Sequence, residues 1–392
     1  LNSLNKQPFS FSKNSISLFS LHKTAESTKA RLGTLQTDHG KIETPIFMPV
    51  GTLGSVKAVK QDELIDKVKA QIILGNTYHL YLRPGCDIIE NAGGLHPFIN
   101  WEHPILTDSG GYQIFSLSDN RELKEEGAHF KSHLDGSKHL FTPENVVDIQ
   151  RTLGSDIIMV LDECPPYPCS YEYAKESMEL THRWEKRGRE HFSNTQPKYG
   201  HKQFQFGIVQ GGTFSDLRKE SSKYVTDLDF EGIAIGGLSV GEPTDIMYEM
   251  TDLNTDYLPE DKPRYLMGVG KPANLLHCIA RGIDMFDCVL PTRNARNGQI
   301  FTRNGYINIR NAKWKNHNKP LDPDFPTDLC SKYKMSYIHH LFRNNELLGL
   351  QLSSLHNLTF YLWLMDEVKK RISNNTFHKW YKEKAELLDT KI

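Results

Sequence analysis

One rhythm dominates the first three quarters of the chain: a short apolar run, a polar or glycine-rich loop, then an amphipathic stretch, repeated again and again. The apolar runs are TPIFMPV (44–50), AQIILG (70–75), PILT (104–107), DIIMVL (156–161), FQFGIV (204–209), GIAIGG (232–237), PRYLMG (263–268) and GIDMFDCV (282–289). Strand-length runs alternating with helical patterns are βα units, whose helices cover a parallel sheet. Eight such units close on themselves, so the expected fold is α/β, a (β/α)8 TIM barrel.

Helix starts are marked between the runs. Thr142-Pro143 precedes Val146, Ile149 and Leu153, and Lys271-Pro272 precedes Leu275, Leu276 and Ile279, with Gly282 as the stop. Proline at the first helical position suits both, because its missing N–H has no intrahelical partner there anyway. HLDGSKHLFTPENV (133–146), with Asp135-Gly136, reads as a hairpin inserted between the third and fourth strands. After residue 300 the rhythm breaks. The expected organisation is therefore a flexible tail over 1–14, a catalytic barrel over 15–300, and a basic segment with a helical C-terminal subdomain over 301–392 packed on the barrel.

Composition narrows the class. A hydrophobic share of 38% over 392 residues is enough for a large packed core. No run approaches the roughly 20 apolar residues of a membrane span. Cys86, Cys164, Cys169, Cys278, Cys288 and Cys330 form no CxxC or regular framework, which suits a reducing compartment, so a cytoplasmic location is expected. A net charge of −1 exerts no global pull on a polyanion. A local patch exists at RNAKWKNHNK (310–319), where Arg310, Lys313, Lys315 and Lys319 surround Trp314; the plain reading of such a run is a solvated loop.

In a barrel of this kind, chemistry sits where strands end. The residues there are Asn76, Asp108, Asp162, Gln210, Gly236 with Gly237, Met267 and Asp287. A lone aspartate at a strand end is usually a helix cap or a turn residue. Three beside glycine-rich loops, TDSGGYQ (107–113), VQGG (209–212) and GGLSVGE (236–242), suggest a shared pocket mouth. There is no GxxxxGK[ST] motif and no GxGxxG after a strand, so the ligand is expected to be flat and uncharged. Asp162 and Gln210 offer in-plane hydrogen bonds, the backbone near Gly237 and Leu238 offers more, and Tyr112 and Met267 are either covers for the ring's two faces or ordinary core. Asp108 and Asp287 remain for work at a sugar carbon, one as covalent nucleophile and one as acid and base.

ILTDSGGYQIFSL (105–117), GNTYHLYLRPG (75–85), IVQGG (208–212), GGLSVGEP (236–243) and YLMGVGKP (265–272), followed by MFDCVLPTRNARNG (285–298), together resemble tRNA-guanine transglycosylase. The match runs in order from about residue 29 to about residue 365. The resemblance implies exchange of the wobble guanine, at position 34 of GUN-anticodon tRNAs (Asp, Asn, His, Tyr), for a 7-deazaguanine in queuosine biosynthesis. It implies Asp287 as the nucleophile at C1′ of the ribose and Asp108 as acid and base. Asp162, Gln210, Gly237 and Leu238 match base-recognition positions, Tyr112 and Met267 the stacking pair, and Arg293 and Arg296, in the loop after the nucleophile, residues that hold tRNA. Cys164 and Val240 are the pocket residues of bacterial members, which take the aminomethyl precursor preQ1 rather than queuine.

The resemblance also implies a homodimer formed through the C-terminal region, and no cofactor beyond zinc. The family binds zinc with CxCxxC and a later His, and the matching positions here are Phe325, Thr327, Cys330 and His356, of which two are not ligands. The expectation is no metal, with Phe325 packing in its place. Two other readings stand beside base exchange: a non-catalytic tRNA-binding partner subunit, which the presence of both Asp108 and Asp287 disfavours, and a nucleoside hydrolase on the same fold, which the basic segment with Arg293 and Arg296 disfavours.

Overall fold

The computed structural model describes residues 18–117 and 121–392; the tail expected over 1–14 lies outside them. The barrel strands are Ile46–Met48 continuing as Val50–Gly51, then Ile73–Gly75, Ile105–Thr107, Ile157–Met159, Phe204–Val209, Gly232–Ile235, Arg264–Leu266 and Met285–Asp287. Apart from Gly51, one residue past the first run, all fall inside the expected runs, and each pairs in parallel with its sequence neighbour. Pro49 divides the first strand. Its N-terminal part pairs with Met285–Asp287 and its C-terminal part with Ile73–Gly75, so the break is also the point where the ring closes. A proline has no N–H for a ladder, yet its carbonyl still accepts from Leu74 N at 3.0 Å.

The strands are buried along nearly all their length, as a parallel sheet wrapped in helices requires. The helix Pro143–Leu153 begins as the sequence indicates: Thr142 Oγ1 accepts from Asn145 N at 3.1 Å, and Asn145 Oδ1 accepts from Thr142 N at 2.8 Å. Pro272–Ile279 likewise starts on its proline.

The insertion is larger than a hairpin and begins earlier. Glu122–Lys124, Gly127–Lys131 and Lys138–Phe141 form a three-stranded antiparallel sheet, with Lys131 opposite Lys138. Asp135-Gly136 lies in the loop between the last two strands. A further antiparallel sheet precedes the barrel, made of Phe19–Thr24, Arg31–Thr37 and Gly40–Thr44. The sequence reading placed no strand there, because polar and charged residues break up these short strands. This sheet is fastened to the barrel floor by the buried pair of Arg31 with Asp284, the residue just before Met285–Asp287.

Beyond residue 298 the chain forms a two-stranded hairpin, Gln299–Thr302 with Gly305–Asn308, and then the helices Asp328–Ser331, Met335–Arg343, Leu347–Ser373 and Phe377–Leu388. The long helix is clamped to the barrel. Asn357 Nδ2 donates to Pro291 O and Gln299 O, both at 3.0 Å, and the Tyr361 hydroxyl donates to Gly270 O at 2.5 Å. Among the described residues, no helix is long and apolar enough to cross a membrane.

Candidate active site

The strand ends surround one cavity of about 640 Å³ at the C-terminal face of the barrel. Asp108, Asp162 and Asp287 all line it, with Asn76, Gly237, Leu238, Tyr112, Met267, Cys164, Val240 and Arg293. Chain segments far apart in sequence meet here because consecutive parallel strands all end on the same face.

Asp108 follows directly on Ile105–Thr107. Thr77 N donates to its Oδ1 at 2.9 Å and the Asn76 side-chain amide donates to Oδ2. Burial pushes its carboxyl up, the nearby Asp287 adds to this, and the donors pull it back, leaving it at about 7. A group at that value holds its proton on a large share of molecules near neutrality and can both give and take it.

Asp287 is the last residue of its strand, and both of its hydrogen bonds fall on one oxygen. The Tyr265 hydroxyl donates to Oδ1 at 2.6 Å and Gly268 N donates to the same atom at 2.9 Å. Burial raises this carboxyl above its ordinary value while these two donors favour the anion. Tyr265 was not singled out from sequence, since an aromatic inside an apolar strand reads as core. It is buried, and its phenol is held well above the usual range by burial and by Asp287, so it stays a donor.

Asp162 is pushed up to about 6 by burial, with hydrogen bonds from Gln210 and Ser109 opposing. Gln210 stands behind it rather than on the cavity wall, donating from Nε2 to Asp162 Oδ2 at 2.7 Å. The adjoining wall is backbone. Gly237 has φ +63°, and a Cβ there would lie 2.4 Å from Gln210 Oε1, so only glycine fits. Arg218, fully buried, fastens this wall by donating to the carbonyls of Gly212, Val209, Gly236 and Gly237. The signal for it was a cation on the apolar face of the helix Ser215–Asp227. Glu242 ties the next turn, accepting from Ser239 N and Val240 N.

Tyr112 is 49% exposed at the mouth, in the first turn of the helix Gly111–Leu117, and Met267 is half-buried. The Cys164 thiol is buried and pushed up to about 12 by burial, so it is a neutral wall atom. Arg293 and Arg296 are not in a loop: they sit on a helix, Leu290–Arg296, with Pro291 in its first turn and Thr292 and Ala295 buried. The apolar spacing of Pro291, Thr292 and Ala295 against the long helix outweighs the loop-like look of the asparagines. Arg293 is exposed at the cavity; Arg296 is half-buried off it, with one guanidinium nitrogen unpaired. Lys313 and Lys315 are exposed but are not cavity residues, and Lys313 lies over the Trp314 ring at 4.8 Å.

A family model described as queuine tRNA-ribosyltransferase matches residues 26–389. A protein of Caldanaerobacter subterraneus subsp. tengcongensis with that same name is 56% identical over 356 residues, 91% of this chain and 93% of its own. Namesakes from Thermoanaerobacter pseudethanolicus and Desulforapulum autotrophicum are 53% and 52% identical over 365 residues, 93% of this chain and 96% and 97% of theirs. By its motifs, its barrel and these matches, the chain belongs to the queuine tRNA-ribosyltransferase family of enzymes.

Proposed function

We propose that this protein exchanges guanine at the wobble position of tRNAs with GUN anticodons for preQ1, through a covalent link between Asp287 and the ribose. What carries the reading is the meeting of Asp108 and Asp287 on one cavity, with their carboxyls in different hydrogen-bonding states.

Asp287 Oδ2, the oxygen without a donor, attacks C1′; the bond from C1′ to the base breaks, and its electron pair goes to the ring nitrogen. Asp108 gives that nitrogen its proton, and guanine leaves. The incoming 7-deazaguanine surrenders a proton to the Asp108 carboxylate, its nitrogen attacks C1′, and Asp287 is released as the anion. Splitting one displacement into two keeps the sugar activated without an energy source. Asp162, with Gln210 behind it, and the backbone at Gly237 and Leu238 hold the edge of the base, and Tyr112 and Met267 cover its faces. Cys164 and Val240 leave room for an aminomethyl group and favour preQ1. Arg293 and Arg296, with Lys313 and Lys315, contact tRNA phosphates. A homodimer uses the C-terminal helices, where Tyr337, Leu347 and Leu348 are exposed apolar side chains.

No zinc step enters. The four positions matching the family's ligands do come together: His356 Nδ1 lies 2.9 Å from Thr327 Oγ1 and 3.5 Å from Cys330 Sγ, and the Phe325 ring is 5.4 Å from the imidazole. One thiol and one imidazole do not make a closed tetrahedral site. Phe325 packs against Phe360 and Trp363 instead, filling that core with rings.

Labelled guanine and unmodified tRNA provide the test. Wild-type protein incorporates label and forms a denaturant-stable adduct with tRNA; Asp287→Asn binds tRNA and forms none. An adduct that persists in Asp287→Asn removes that residue from the nucleophile role, and release of free base without incorporation supports a hydrolase instead.

A further inference from the structure

At the opposite end of the barrel, three histidines and an aspartate from four segments converge. His39 is in the turn joining Arg31–Thr37 to Gly40–Thr44, and His96 is in the helix Leu95–Ile99. His201 precedes Phe204–Val209, and Asp156 precedes Ile157–Met159. One ring nitrogen from each histidine lies within 4.8 Å of the others. None of these residues belongs to the active-site cavity.

The hydrogen bonds leave lone pairs available. His39 Nδ1 lies 2.8 Å from Asp156 Oδ1 and donates to it, so Nε2 keeps its lone pair. His201 Nε2 lies 2.9 Å from Gly154 O; a carbonyl only accepts, so the hydrogen is on Nε2 and Nδ1 keeps its lone pair. His96 is buried, and its Nε2 has no hydrogen-bond partner although it lies 3.2 Å from Asp156 Oδ2. A ligating histidine whose second nitrogen donates to a carboxylate or a carbonyl is the usual arrangement around a bound ion, because that bond fixes the tautomer and orients the ring. Two of the three histidines already have it.

We propose that His39, His96 and His201 bind a divalent transition-metal ion of the zinc type, with Asp156 as the outer partner of His39. Three imidazoles suit Zn²⁺, Co²⁺ or Ni²⁺ rather than Mg²⁺ or Ca²⁺, which prefer all-oxygen sites. His39 and His96 are stacked, with centroids 3.7 Å apart and planes 14° from parallel. Parallel rings cannot both aim at one ion, so binding swings one ring out of the stack and draws the nitrogens in to bonds of about 2.0–2.1 Å. Of the stacked pair, His39 is half-buried and His96 buried, so His39 is the ring with room to turn. The ion then clips the N-terminal sheet to the barrel floor, far from the chemistry, and serves stability rather than turnover.

The test uses untagged, chelator-treated full-length protein titrated with Zn²⁺ alone, followed by calorimetry and thermal unfolding, and with Co²⁺ for its visible spectrum. The expected result is one equivalent bound, a rise of several degrees in Tm, and a tetrahedral cobalt spectrum without a thiolate charge-transfer band. His201→Ala, a half-buried position that leaves the Asp156 hydrogen bonds in place, loses the bound equivalent and the Tm rise while base exchange continues. Cys330→Ser retains both. Absence of stoichiometric binding by the wild type, binding undiminished in His201→Ala, or binding lost in Cys330→Ser overturns the proposal. The last outcome assigns the ion to the C-terminal pair with His356 instead. A His39→Gln variant read by the same Tm shift decides the matter if His201→Ala fails to fold.

Discussion

The two ends of the barrel treat the same side chain in opposite ways. At the floor, burial pushes Asp156 up, but the hydrogen bond from His39 and the closeness of His96, 3.2 Å away, outweigh it and hold the carboxyl well below the usual range. At the mouth, Asp108 is also walled in and has neutral donors, yet no cation pairs with it, and it sits at about 7. The partners make the difference: Asp156 accepts from His39 Nδ1 and from Ile105 N with a second imidazole beside it, whereas Asp108 has neutral donors and another carboxylate, Asp287, close by. The floor carboxylate is therefore part of what holds the molecule together, and the mouth carboxylates are held at a cost that suits a proton carrier.

The sharpest way to break this contrast is Asp108→Asn. If Asp108 is the acid and base, exchange falls by about 10²–10⁴-fold, while tRNA binding survives, as gel retardation alongside base-exchange rates would reveal. The wild-type rate of adduct formation, which needs the protonated acid, should decline as pH rises through about 7; a flat profile in single-turnover measurements would contradict this. The sign for stability is the reverse of the usual carboxylate. The folded pKa is raised, so ionisation penalises the folded state from about pH 4 upward and fully above about 7. Relative to wild type, Asp108→Asn should gain stability between pH 5 and pH 8, by on the order of a few kcal/mol, in urea titrations.

Asp156→Asn probes the other end. It strips a buried anion from His39 and His96 and should cost about 3 kcal/mol of stability, with exchange per folded molecule unchanged. Here the sign is the ordinary one. The folded carboxyl pKa is depressed, so its contribution is present above about pH 4 and lost as pH falls through the folded value. His39 is raised by the same bond, so its share is present below about 6.5 and lost as pH rises through its folded pKa. Equal unfolding midpoints for Asp156→Asn and wild type would erase the distinction between the two ends.

The smallest effect belongs to Tyr265→Phe. Losing one of the two donors to Asp287 Oδ1 leaves burial less opposed and raises that carboxyl further, so fewer molecules carry the anionic nucleophile near neutrality and adduct formation slows by roughly 10-fold. Because Gly268 N still holds the carboxylate, tRNA affinity should not change. A variant that reacts at the wild-type rate would show that the phenol is only packing.

Much of this was legible in the chain. Strand-length apolar runs at regular spacing announced the barrel, and the residue after each run announced the rim, because strand direction alone decides which end a following side chain occupies. Asp108 and Asp287 could be named for that reason. The sheet before residue 44 could not, since its strands are short, mixed in polarity and stabilised by Arg31 reaching Asp284 across 253 positions. The helix carrying Arg293 and Arg296 was mistaken for a loop because its support comes from Asn357 on a helix some 60 residues away.

By itself, then, the sequence determined the order of the strands, the polar residues at their ends and the glycine pairs between them, all of which follow from local spacing. Tertiary structure alone decided that Tyr265 and Gly268 bond the same oxygen of Asp287, that Gln210 stands behind Asp162, and that His39, His96 and His201 meet beneath the barrel. Those facts depend on ring closure, which sets distances between segments that no spacing along the chain encodes.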